Sequence, residues 1–106
     1  MTEQYIVVLV TTSSTEEAEK IARRLVEERL VACGNIIAGV TSIFRWEGKI
    51  STESEALLIL KTRADLFDRA RKLIEELHSY DVPEVIALPI VRGNEQYLKW
   101  LEGETS

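Results

Sequence analysis

The chain has 106 residues, 45% hydrophobic and 29% charged, with a formal net charge of −5. That length suits one domain, residues 1–106, with one core, and with two prolines, five glycines and no low-complexity stretch disorder is excluded. The acidic balance argues against nucleic acid or an anionic membrane as partner, the single cysteine excludes an internal disulfide, and no apolar run nears the ~18 residues of a membrane span. Met1 to Gln4 shows no basic leader, and with one thiol the expected compartment is a reducing cytoplasm.

Residues 5–10 form a β-branched apolar run that predicts a buried strand. Ser14 and Glu17 form a capping-box pattern opening a helix. Its apolar stripe is Ala18, Ile21, Ala22, Leu25 and Val26, and Glu16–Lys20, Glu19–Arg23 and Arg24–Glu28 are spaced to pair on the wet side. Two long extended segments follow, 31–46 and 50–61, joined by a tight turn at Glu47-Gly48. Gly34 and Gly39 are expected to mark bends or bulges. Thr62 and Asp65 read as a second capping box, before a stripe of Leu66, Phe67, Ala70, Leu73, Ile74 and Leu77. A loop over 79–83 leads to a fourth strand, 84–91, and Asn94 caps a short last helix through Trp100.

The order β-α-β-β-α-β predicts an α+β, ferredoxin-like sandwich with an extra C-terminal helix. The expected strand order is 4-1-3-2, which puts Pro89 on an edge, where it is tolerated. Two helices cover one face of such a sheet, yet residues 6–10, 57–60 and 85–88 are apolar at both parities. The second face therefore needs a cover. A second copy of the chain is the simplest one, and Ile6 and Val8 are assigned to that face. The long arm around Trp46-Glu47-Gly48-Lys49 offers a free edge to a neighbour.

Leu30-Val31-Ala32-Cys33, Asn35-Ile36-Ile37, Gly39-Val40-Thr41-Ser42-Ile43, Trp46-Glu47-Gly48-Lys49-Ile50, Leu60-Lys61-Thr62, Tyr80-x-Val82-Pro83-Glu84 after His78, Leu88-Pro89 and Tyr97-Leu98-x-Trp100 resemble the signature of the CutA divalent-cation-tolerance proteins. The resemblance runs from about residue 5 to residue 101. It implies a homotrimer of ferredoxin-like subunits, similar to PII signalling proteins, with a role in tolerance to copper and other divalent cations, by weak or indirect metal binding. The chain departs from the pattern at Ser79, Asp81, Ala38 and Arg45. The resemblance also maps a copper-ligand set onto Val10, Leu77 and His78, of which only His78 keeps a ligating side chain.

His78 and Cys33, the only imidazole and thiol, are the candidate metal ligands. Their plainer readings are a helix C-terminal residue and a small buried hydrophobe. Lys61, after four apolar residues, is a candidate anchor for a small anionic ligand in an inter-subunit cleft, with Trp46, Tyr80, Glu84 and Trp100 as lining. The alternatives are a lysine paired with a carboxylate and aromatics that lock subunits together. Glu47 and Glu55 are candidate hard-metal ligands. With no Gly-x-Gly-x-x-Gly, no phosphate-binding lysine loop and one histidine, no catalytic constellation is expected. An acid/base pair of Lys61 with Glu84 or Asp81 is the one enzymatic reading. Two functions stand side by side: a divalent-cation response protein, and a PII-like sensor or scaffold for a small anion.

Overall fold

A computed structural model describes residues 4–106. The elements are β1 (Tyr5–Thr12), α1 (Thr15–Glu27), β2 (Cys33–Trp46), β3 (Lys49–Arg63), a 3-10 turn (Ala64–Leu66), α2 (Phe67–Leu77), β4 (Val85–Pro89) and α3 (Glu95–Glu104). The strands form one antiparallel sheet in the order β2-β3-β1-β4. This is the expected ferredoxin-like order, and Pro89 ends edge strand β4 opposite Ile6.

Local chemistry explains most boundaries. Ser14 Oγ accepts the Glu17 N–H at 3.1 Å and starts α1. The returning Glu17 carboxylate takes the Ser13 N–H at 2.9 Å, one residue earlier than the capping box predicts. Ala18, Ile21, Ala22 and Leu25 of α1 are buried, whereas Val26, at the stripe's edge, is exposed. The second capping box does not form. Thr62 stays in β3 on the helix-covered face, fully buried, and there its hydroxyl donates to the Leu30 carbonyl at 2.6 Å. The chain then turns at Ala64 without a side-chain cap.

Glu47 and Gly48 both have positive φ, 50° and 78°, as a two-residue hairpin of matching twist requires. The β2–β3 register shifts between Ile37 and Val40, where Gly39 takes φ 72°, so the expected bulge lies there. Gly34 has another role. It pairs in register with Leu60, and a Cβ there would lie 3.0 Å from Leu60 Cδ2 and 3.2 Å from Ala22 Cβ. The missing side chain lets α1 approach the sheet.

β1 alternates without a break. Ile6, Val8, Val10 and Thr12 lie buried under α1 and α2, and Tyr5, Val7, Leu9 and Thr11 face the other way. The assignment of Ile6 and Val8 to the second face is therefore corrected. Both parities of β1 are apolar, so hydrophobicity does not reveal which one meets the helices. The second face is partly covered after all. α3 runs on to Glu104, Leu101 is fully buried, the Tyr5 hydroxyl donates to Glu102 at 2.7 Å, and the Arg63 guanidinium donates to the Thr105 carbonyl at 2.9 Å. Beyond α3 the face stays open, with Ile86 and Leu88 each 50% exposed and Ile37 also exposed.

Gly34→Ala is expected to destabilise the fold by about 1–3 kcal/mol through overpacking between α1 and β3. Gly103→Ala, in α3 with open space around it, is expected to be neutral or stabilising by up to about 1 kcal/mol. Urea unfolding of both variants measures the contrast.

Candidate functional site

The β2–β3 arm and the loop after α2 enclose a groove of about 680 Å³. The arm contributes Ile43, Phe44 and Trp46, and β3 contributes Glu53 and Glu55. The loop contributes Tyr80, Asp81, Val82 and Glu84. Glu53 and Glu55 share one face of β3 because strand side chains repeat every two residues. Among the described residues, four carboxylates line the groove and no lysine or arginine does.

A chain of hydrogen bonds holds this wall. The Tyr80 hydroxyl donates to Glu55 Oε2 at 2.7 Å, and Glu55 is buried. Burial, and then this bond to a carboxylate, push the phenol up to about 12, so it stays a donor. The Tyr80 N–H donates to His78 Nδ1 at 3.0 Å, and His78 Nε2 lies 2.7 Å from the Thr11 carbonyl, to which it donates. His78 is buried, and this bonding matches the neutral Nε2–H tautomer. Both ring nitrogens are thus engaged with protein atoms.

Glu17 fixes the loop to α1. Oε2 accepts the Ser79 N–H at 2.6 Å and Oε1 accepts both the N–H and the hydroxyl of Ser13 at 2.9 Å. Burial alone would raise the Glu17 carboxyl, but the Ser13 and Ser79 bonds outweigh it and hold the group near 2.

Within one chain, the residues expected to line an inter-subunit cleft fall into two groups. Trp46, Tyr80 and Glu84 line one groove, with Glu55 and Asp81. Lys61, Cys33 and Trp100 lie towards the other end of the sheet. Lys61 follows Glu55 by six residues along β3, about 20 Å at strand rise. There the Lys61 ammonium donates to Asn35 Oδ1, Cys33 Sγ lies 3.6 Å from the Tyr97 hydroxyl, and the Tyr97 and Trp100 rings sit 5.4 Å apart. Within one chain, Lys61 therefore has no acid/base partner in Glu84 or Asp81, and Cys33 and His78 do not meet. Cys33 is half-buried rather than sealed in the core. Among the described residues, no three His, Cys, Asp or Glu side chains are grouped to hold a metal ion. Cys33 with His78 does not fit a metal centre in this geometry, and Glu47 stands at the arm's turn, outside the groove lining. Glu17, Glu53, Asn35 and Tyr97 were not among the expected site residues.

Residues 6–104 match the family model described as CutA1 divalent ion tolerance protein. A Thermus thermophilus divalent-cation tolerance protein CutA is 50% identical over 99 residues, covering 93% of this chain and 96% of the relative. The chloroplastic CutA protein of Arabidopsis thaliana is 48% identical over 100 residues, covering 94% of this chain and 55% of that longer protein. The solved Thermus thermophilus divalent cation tolerance protein superposes with a TM-score of 0.94 at 48% identity, covering 96% of this chain and 99% of that one.

A carboxylate held low stabilises the folded state fully above its unfolded value of 4.5. That contribution falls as pH drops below 4.5 and is gone below about 2. Glu17→Gln is expected to cost about 2–3 kcal/mol at pH 7. Denaturant unfolding from pH 7 to pH 2 is expected to show wild type and variant converging at the acid end.

Proposed function

The chain belongs to the CutA1 divalent ion tolerance family, and from that premise we propose that it acts as a cytoplasmic homotrimer in the response to divalent metal ions, copper among them, by weak direct binding. One observation carries this reading: among the described residues, four carboxylates and no basic side chain line the groove. Walls of one sign concentrate counter-ions in a cleft. The side-chain donors are carboxylates, Ser and Thr hydroxyls and one phenol, and carboxylate oxygens suit divalent cations. Cu²⁺ leads the first-row divalent ions for a given donor set, so copper is the most sensitive probe. Binding is weak because no closed set of ligands is preformed among the described residues. The same charges oppose an anion in this groove.

The trimer reading rests on the open sheet face with Ile86, Leu88 and Ile37 exposed. For compartment, no helix among the described residues is long and apolar enough to cross a membrane. No reaction is assigned to the groove.

Calorimetric titration with Cu²⁺ in a non-chelating buffer is expected to show weak binding. Replacing Glu53 and Glu55 together by Gln should lower its affinity at least about tenfold, while Cys33→Ser leaves it unchanged. Undiminished binding in the double variant, or loss of binding on Cys33→Ser, contradicts the reading. For the assembly, Val7→Asp should give folded single chains and Val8→Asp should unfold the protein. Sedimentation velocity with circular dichroism distinguishes the two outcomes.

A further inference from the structure

Lys61 does not share the chemistry of the acidic groove. It lies on β3, an interior strand, with Val7 of β1 and Cys33 of β2 as register partners. The same face carries Leu9, Leu57 and Ile59, so the ammonium stands on an apolar floor. A carboxylate partner is the plainer expectation, and among the described residues none pairs with Lys61. The ion pairs among the described residues use other cations. Among the described residues, the Asn35 side-chain oxygen is the one acceptor for Lys61. An ammonium has three donors, and Asn35 takes one while orienting the group.

In an open face, water serves the other two donors. In the trimer proposed above, neighbouring copies cover this face and remove that water. A lone ammonium stripped of water is costly, and an anion with good hydrogen bonds offsets the cost. We propose that Lys61, oriented by Asn35, is the anchor of an oxyanion subsite on the open sheet face, separate from the cation groove, that takes a carboxylate-type group at the seam between copies. The group comes either from a small free anion or from an Asp or Glu side chain of a neighbouring subunit. This inference rests on the trimer reading only for the loss of water; the lysine and its orienting amide belong to one chain.

Trp100 reports on the site. It stacks near Tyr97, whose hydroxyl meets Cys33, the register partner of Lys61. The test uses Trp46→Phe as background, leaving Trp100 as the only tryptophan, and citrate as the probe at fixed ionic strength. Saturable quenching of Trp100, weakened at least about tenfold by adding Lys61→Met, supports a free anion. Absence of quenching, with Lys61→Met dissociating the trimer while Lys61→Arg keeps it, supports a neighbour's carboxylate. Lys61→Met keeps the aliphatic stem, so loss of assembly reads the charge and not the packing. No quenching together with a Lys61→Met protein that assembles and melts like the wild type overturns the proposal. If the wild type runs as a single chain, the trimer reading and the seam fall together, and the citrate titration alone decides whether Lys61 and Asn35 still anchor an oxyanion on the open face of one chain: quenching upholds that anchor and no quenching overturns the proposal.

Discussion

A sheet that is apolar on both faces, with two helices able to cover only one, sets the terms for the whole molecule. β1 and β3 bury Ile6, Val8, Val10, Leu58 and Leu60 beneath α1 and α2, at little or no exposure. Their alternate residues, Val7, Leu9, Leu57 and Ile59, face the other way and are nearly as hydrophobic. Each large aliphatic side chain left in water forgoes about 1.5–3 kcal/mol. α3 recovers part of this by folding back over one end, held by Leu101 and by the Tyr5 and Arg63 hydrogen bonds. The remainder of the face calls for another surface, and in the trimer proposed above further copies would supply it.

The acidic groove depends on the same framework. Its floor is the far end of β3, and its outer wall is the loop after α2. Glu17 ties that loop to the first turn of α1, and His78 ties it to the β1 backbone at Thr11. Tyr80 then holds the buried Glu55 carboxylate. Of the four groove carboxylates, Glu55 is the one held by these bonds, and no basic residue among the described ones lines the groove. A groove of this sign accords with a family defined by divalent-ion tolerance. His78 contributes by positioning Tyr80, both of its nitrogens being occupied.

The fold was largely legible because its signals are local or periodic. The strand order, the Glu47-Gly48 turn, the Ser14 and Asn94 caps and the Gly39 bulge follow from residue type and spacing. The parity of β1 was not legible, since Ile6-Val7-Val8-Leu9-Val10 is apolar throughout and only packing chooses a side. Thr62 misled for a related reason: the pattern of a cap was present, but burial assigned its hydroxyl to Leu30. The site was half legible. Trp46, Tyr80 and Glu84 do converge, whereas Lys61 and Trp100 stand at the other end, because aromatic and charged residues carry no mark of their position along a strand. Glu17 reads in the sequence as part of a helix cap; its bond to Ser79, 62 residues away, leaves no trace in local spacing.

Sedimentation velocity of the wild-type protein at micromolar concentration tests the central claim most directly. One species of three chain masses, stable to dilution, is expected, because every copy carries the same uncovered apolar face and the family resemblance implies three copies around it. A soluble, stable single chain would contradict it, since the open face would then be tolerated in water and neither its closure nor the burial of Lys61 would follow.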